Sequence, residues 1–590
     1  MSTAQSVPDP LDDPDPRAAA EHAHLEALLR CWLRETGTPV APGPLRVGLP
    51  TAGLSLVTEV THRSPTGWHR FAAVRLDGPG GPLGPTADPV TAVALLATEA
   101  ALRGGARPGG VPRPEAADLV ERTAESVRRT ALFVADRRAR PQPPPGTDGF
   151  LDAEQALLLG HLNHPAPKSR DGLSDRDATA FSPELRGSFP LHWFSADASA
   201  VSHDAVASAP ALDGRDAPGL LARLAGRRPG PGRVLVPAHP WQARDLLQRP
   251  RIRALLDSGA LEFFGALGPL WWPTSSLRTV YRPDARVMLK LSLGLRLTNS
   301  RRESTRTELH RGVEVHRLLD AGHADGTLKA HPGFTVTRDP AWLAVDEPGR
   351  PGGPEVTGLD VAVREVPDGI ADLRCLAGLV APRPGLGRSA LGGIVAALGT
   401  GAAERWTAAY TDRVLVPMLH LYAATGIGLE AHQQNTLVRL DPRGRVTGGA
   451  FRDNQGYYLA ASRLPDVLDR LGTGATTLAV TDDALVDDRL SYYLLRNQAL
   501  AVVGCLAVDG LADERRLLGV LAGRLRAALP ALAEAGPDGD RLARRWLTAA
   551  TLPCKANLLT RLHGIDEVLA PLDAQSVYLD APNPLREAAP

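Results

Sequence analysis

No helix or sheet ladder can run through residues 139–149, ARPQPPPGTDG. Four prolines in five positions remove backbone donors and fix φ, so this stretch reads as a linker between separately packed regions. A second break is expected near 381–389, APRPGLGRS. The chain of 590 residues is also too long for one core. Three domains are therefore expected, over 1–140, 150–385 and 386–590.

Before the linker, LSLVTEV at 54–60 and WHRFAAVRL at 68–76 read as strands. Helices are expected near 89–103 and 115–138, the first opened by Asp88-Pro89. In the middle region RVLV at 233–236 and RVMLKLSL at 286–293 read as strands and 302–321 as a helix. The Gly- and Pro-rich stretch 332–355 reads as a loop-heavy insertion. The last third is Ala- and Leu-rich, with helices expected at 394–424, 485–507, 511–535 and 540–562. One hairpin interrupts it, with Asp441-Pro442-Arg443-Gly444 turning between NTLVRL and VTGGAFRD. The fold class is α+β.

Lys+Arg and Asp+Glu are 66 each, so no global field recruits nucleic acid or an acidic membrane, and an anionic ligand needs a local cluster of cations. The N-terminus is acidic and Pro-rich, without a basic and then apolar leader. No apolar run is long enough to span a bilayer. Cys31, Cys375, Cys505 and Cys554 are widely separated and read as buried thiols of a cytoplasmic protein. There are 62 Arg but only four Lys: Lys168, Lys290, Lys329 and Lys555. Where Arg has replaced Lys almost throughout, a remaining Lys marks a candidate position for a compact ammonium.

Four polar clusters stand out. Gly160 to Arg170 (GHLNHPAPKSR) holds His161, His164, Lys168 and Arg170 on a proline-stiffened, extended loop, whose cations can point one way toward an anion. In Thr274-Ser275-Ser276-Leu277-Arg278-Thr279, an extended backbone would project Ser276 and Arg278 from one face as a phosphate grip. Lys290 lies inside an apolar strand, where an unpaired ammonium is costly, and Thr298 and Arg302 follow it. Arg302 is expected at the N-terminus of the 302–321 helix, whose free N–H groups favour anions. The last cluster is Glu430-Ala-His432-Gln-Gln-Asn435, followed across the hairpin by Arg452-Asp453. Asn435 and Asp453 sit at the open ends of that hairpin, and their oxygens suit Mg²⁺ holding phosphates. No GxxxxGK[ST] loop is present.

With His239-Pro240-Trp241-Gln242, these segments resemble, in order, the motif set of the IucA/IucC family of siderophore synthetases, over residues 150–460. The resemblance implies thumb, fingers and palm domains, a mixed-sheet fingers region and a mainly helical palm, with ATP between the last two. It implies that His164, Lys168, Ser276, Arg278, Lys290, Thr298, Arg302, His432, Asn435 and Asp453 contact ATP. Asn435, Asp453 and Glu430 would hold Mg²⁺. Arg302, His432 and Glu430 would meet the substrate carboxylate, and Lys290, Arg302 and His432 would carry catalysis. Its activity is adenylation of a carboxylic acid, citrate or a relative, then condensation with an amine or alcohol, releasing AMP and pyrophosphate. A homodimer is left open. One departure is His161-Leu-Asn-His164, where the family pattern has His-Pro-x-His.

Two rivals belong to other classes. A small-molecule phosphotransferase would share the Asn-then-Asp order, but no H-x-D base or Gly-rich phosphate loop is present. A non-enzymatic ferric-siderophore or carboxylate-binding module would not need an Asn/Asp pair suited to Mg²⁺.

Overall fold

The computed structural model describes residues 9–78, 84–103, 114–297, 300–346, 357–453, 456–565, 570 and 574–587. Near the N-terminus, helices Pro16–Glu35, Pro89–Arg103 and Pro114–Ala139 pack with a four-stranded antiparallel sheet. Asp88 opens its helix as expected, its carboxylate accepting the N–H groups of Val90 and Thr91 at 3.0 and 2.9 Å. The strand expected at 68–76 is two pieces, Arg70–Phe71 and Arg75–Asp77, both pairing with Leu54–His62. Trp32, Leu56 and Phe71 fill this core, joined by Leu558 and Leu562 from the other end of the chain.

After the linker, an eight-stranded antiparallel sheet forms the frame of the middle region. In spatial order its strands are Val201–Ala205, Ala341–Val345, Asp360–Glu365, Val287–Leu291, Thr279–Tyr281, Leu261–Pro273, Phe189–Asp197 and Arg233–Ala238. Val287–Leu291 is internal, and every one of its residues is buried. Its Lys290 sits opposite Thr279 on one side and Ala362 on the other.

Three expectations change here. The helix starts at Arg306, not 302. Thr305 caps it, exchanging hydrogen bonds with Glu308, and Ser300–Arg302 forms a strand against Leu293–Leu297 instead. The supposed insertion contains strands Phe334–Thr337 and Ala341–Val345. The first of these runs parallel to the distant Val446–Arg452, a pairing no local pattern announces. Near the C-terminus the expected 540–562 helix is Arg541–Thr548, then strand Thr551–Lys555, then helix Asn557–Leu562. Pro553 cannot continue a helix, and its strand pairs with Tyr578–Pro582.

The predicted hairpin forms from Thr436–Leu440 and Val446–Arg452, with Gly444 at φ +83° closing the turn. Around it, a large apolar core joins helices Ala402–Tyr410, Val416–Thr425, Leu500–Val508 and Glu514–Ala535. Two π-helical segments, Thr411–Leu415 and Ser491–Ala499, interrupt this helical region. All four cysteines are free and buried. No helix among the described residues is long and apolar enough to cross a membrane.

Candidate functional site

A cavity of about 610 Å³ is lined by the 160–170 loop, the 274–279 turn, Lys290, the hairpin root and the second π-helix. At its floor the hairpin brings Asn435 and Asp453 together, because the Arg452 N–H donates to the Asn435 carbonyl at 3.0 Å. The Asn435 amide nitrogen donates to Asp453 Oδ2 at 3.3 Å, and Lys290 Nζ donates to Asp453 Oδ1 at 2.9 Å. Arg364, engaged bidentately by Asp339, adds a second cation 3.8 Å from Asp453. Burial pushes the Lys290 ammonium down to about 8, against the pull of Asp453.

The Asp453 carboxylate and the Asn435 amide oxygen are hard donors, and this pair fits Mg²⁺ that takes its other ligands from phosphates. Glu430 lies beside them, its backbone carbonyl accepting the Asn435 amide N–H at 3.1 Å. Its carboxylate accepts from the Tyr458 hydroxyl at 3.4 Å, and no three His, Cys, Asp or Glu side chains gather as a metal cluster among the described residues. Thr298 lies outside the described residues.

Residues 274–279 are not extended, so the condition for Ser276 and Arg278 to share one face by strand alternation is not met. They form a tight turn in which Leu277 adopts φ +64° and the Thr274 N–H bonds the Thr279 carbonyl at 2.8 Å. A branched residue in the left-handed region is strained and persists only where its surroundings fix it. Here Ser276 Oγ accepts the Thr279 N–H at 3.1 Å, and Ser275 is clamped to Glu154 through its N–H at 2.9 Å and its hydroxyl at 2.7 Å. Arg278 is buried and donates to the Arg302 carbonyl at 2.8 Å, which locks the turn to the Ser300–Arg302 strand. Arg302 and Ser276 both line the cavity.

Glu154 carried no sequence signal, yet it organises this corner. It is fully buried, its other oxygen lies 2.7 Å from Arg452, and Arg452 in turn donates to the Gln434 carbonyl at 2.9 Å. One carboxylate thus ties the turn to the hairpin root. His239-Pro-Trp-Gln242 has a similar supporting role. His239 caps a helix, while Gln242 accepts the Gly294 N–H at 2.6 Å and donates to Glu303 at 2.8 Å, next in sequence to Arg302.

The 160–170 loop is a series of turns rather than an extended run, and His161, His164, Lys168 and Arg170 all line the cavity. Lys168 Nζ and Arg170 both bond the buried Glu184 carboxylate at 2.6 Å, which they hold down at about 2. Lys168 therefore lines the cavity from within an ion-paired cluster that retains one net positive charge. The side chains of His161, His164 and His432 share one local device: Nδ1 accepts the backbone N–H two residues on, at 3.1 to 3.2 Å. For a neutral His432 ring this leaves the proton on Nε2. Enclosure in the cavity, reinforced by Lys555 and Arg302, lowers His432 to about 4, so it is a neutral donor at working pH.

Behind this loop the Lys168 N–H donates to Ser126 Oγ at 2.8 Å, and Ser126 Oγ meets His24 Nε2 at 2.7 Å. His24 is buried, and desolvation lowers it to about 4. Below pH 6.5 the unfolded chain takes up a proton that the folded chain refuses. This contribution to stability is complete above pH 6.5 and is lost as pH falls toward 4. At pH 5 it is smaller by about 2 kcal/mol. Wild type should therefore lose more melting temperature between pH 7 and pH 5 than His24→Gln; equal losses would show that His24 is not the proton acceptor.

A mixed helix-and-strand chain closing on a deep cationic cleft, with an Asn/Asp pair at its floor, is the class these features define. Residues 149–381 match the model of the IucA / IucC family, and residues 404–569 match that of the Ferric iron reductase FhuF-like transporter family. The rhizobactin siderophore biosynthesis protein RhbC of Rhizobium meliloti is 35% identical over 96% of this chain and 98% of its own. The spermidine-citrate ligase of Bacillus anthracis is 33% identical over 97% and 98%. The structure of ATP-bound aerobactin synthetase IucA from Klebsiella pneumoniae superposes with a TM-score of 0.81 at 26% identity, over 95% of this chain and 99% of that one. The chain belongs to the IucA/IucC family.

Proposed function

We propose that this protein is an ATP-dependent ligase of siderophore assembly that joins citrate, or a close relative, to an amine. The observation that carries the reading is the convergence of Lys290, Asn435 and Asp453 at the floor of a cleft whose upper walls present Arg278, Arg302 and the Lys168–Arg170 cluster. Such a set suits the polyphosphate of a nucleotide. The relatives add direction, since one is a spermidine-citrate ligase and one a synthetase with ATP bound.

In this reading the thumb, fingers and palm regions correspond to 1–140, 150–385 and 386–590, in a protein that works in the cytoplasm. Asn435 and Asp453 hold Mg²⁺, which when bound neutralises phosphate oxygens. Arg302 and the Nε2–H of His432 orient the acid's carboxylate. One carboxylate oxygen attacks the α-phosphorus, the bond to the β-phosphate bridging oxygen breaks, and pyrophosphate leaves. Lys290 and Arg278 offset the charge that builds on the phosphates. The amine nitrogen then bonds the acyl carbon as the C–O bond to AMP breaks. The electron pair departs on AMP and the surplus proton goes to water. Holding both partners in one cleft keeps the intermediate from hydrolysis.

Incubation with Mg·ATP and citrate, with hydroxylamine as trap, should give citryl hydroxamate, AMP and pyrophosphate in equal amounts. ADP as the stoichiometric product would move the protein to the phosphotransferase class.

A further inference from the structure

Part of the cavity wall has a different character, aromatic rather than cationic. There Tyr458 and Tyr493 stack with ring centroids 6.4 Å apart, and Tyr492 meets Tyr493 edge-on at 5.2 Å. Tyr492, Tyr493 and Asn497 reach the cavity from the π-helix Ser491–Ala499. π-Helices are rare, and their widened turns often sit at functional sites. The other one, Thr411–Leu415, contributes no cavity residue.

Three charges share this aromatic end. Glu430 accepts from the Tyr458 hydroxyl. The Arg489 guanidinium lies 4.3 Å from the centre of the Tyr578 ring, and Lys555, the last of the rare lysines, lines the same wall. All three act on the Tyr578 hydroxyl, which burial raises, Arg489 and Lys555 pull down, and Glu430 pushes up further. Around the Tyr578 hydroxyl, two cations, Arg489 and Lys555, thus stand with one carboxylate, Glu430. The end also opens toward the proposed reacting carboxyl, since Glu430 is two residues from His432 and the His432 and Tyr493 rings are 6.1 Å apart.

We propose that this tyrosine-walled end binds the amine co-substrate and selects an amine that itself bears a carboxylate, an amino-acid type of acceptor. Glu430 and the tyrosine faces receive an ammonium group, the rings cover the methylene stem, and Lys555 with Arg489 receive the carboxylate. A polyamine would bring a second positive charge against Lys555 and Arg489, a like-charge penalty sharpened by burial. This rests on the ligase reading above and goes further by naming the acceptor class.

The test uses amines that differ only by the carboxylate, lysine against cadaverine and ornithine against putrescine, with citrate and Mg·ATP. Condensation product is measured beside the hydroxamate formed with hydroxylamine, a nucleophile too small to need the subsite. Wild type should favour each amino acid over its diamine at least tenfold in kcat/KM. Lys555→Met should bring that ratio close to one while hydroxamate formation continues. Equal or better use of the diamines by wild type, or an unchanged ratio in Lys555→Met, would overturn the assignment. The wild-type panel decides the matter even if the variant fails to fold. Absence of hydroxamate and AMP with every acid would instead remove the ligase reading, and this assignment with it.

Discussion

Lys290→Arg should lose at least about 100-fold in kcat/KM for ATP, roughly 2.7 kcal/mol of transition-state stabilisation, while the protein stays folded. The change keeps the charge, so the effect comes from shape. Lys290 stands in the middle of an internal strand, 4% exposed, with its ammonium on Asp453 and with Arg278 and Arg364 in its field. A compact ammonium fits between a carboxylate and phosphate oxygens. A planar guanidinium is longer and would have to displace Asp453, the adjacent arginines or the nucleotide. Lys329→Arg is the control. Lys329 lies on the helix Asp325–Ala330, is largely exposed, and pairs only loosely with Asp325 at 3.1 Å. The measurement is pyrophosphate release at saturating acid and varied ATP, with a melt for each variant. Near-normal turnover by Lys290→Arg would show that a positive charge alone suffices there.

Glu154→Gln should destabilise the protein by about 3–5 kcal/mol, the usual consequence of stranding one member of a buried ion pair. Arg452 would keep its contact with the Gln434 carbonyl but lose its only carboxylate partner among the described residues, and the 274–279 turn would lose the acceptor that clamps Ser275. The double variant Glu154→Gln with Arg452→Met should recover part of the loss, because no buried charge then lacks a partner. Thermal melts of the three proteins provide the comparison. A single variant melting within a degree of wild type would mean that Glu154 does not hold this corner together. ATP dependence should worsen alongside stability, since the same carboxylate positions Ser276 and Arg278 through the turn.

How much of this was legible beforehand depended on the range of the interaction. The linker, the Asp88 cap and the Asp441–Gly444 turn were readable because each is set by residues within a few positions. Asn435 and Asp453 were also readable as neighbours, since a hairpin converts sequence separation into register. Lys290 stood out because a charge in an apolar strand demands a partner. The supporting contacts of Lys168 were not readable. Its Glu184 lies in a different segment, and an ordinary glutamate in a sequence does not show that it will be buried beneath two cations. The turn at 274–279 was not readable for the same reason. The positive φ at Leu277 goes with contacts that include the distant Glu154.

By itself the sequence determined which residue types are available, where the chain must break, and the short-range hairpin and strand that carry Lys290, Asn435 and Asp453. These depend on backbone propensity and on periodicity, which act over a few residues. Tertiary structure alone decided which charges are spent on one another and which face the cavity. It turned Lys168 and Arg170 onto Glu184, set Glu430 beside Tyr458, and folded Lys555 and the π-helix into the same cleft. The cause is physical. An ionic contact is fixed by distance and burial, and residues 121 positions apart, as Glu154 and Ser275 are, become neighbours only when separate layers pack.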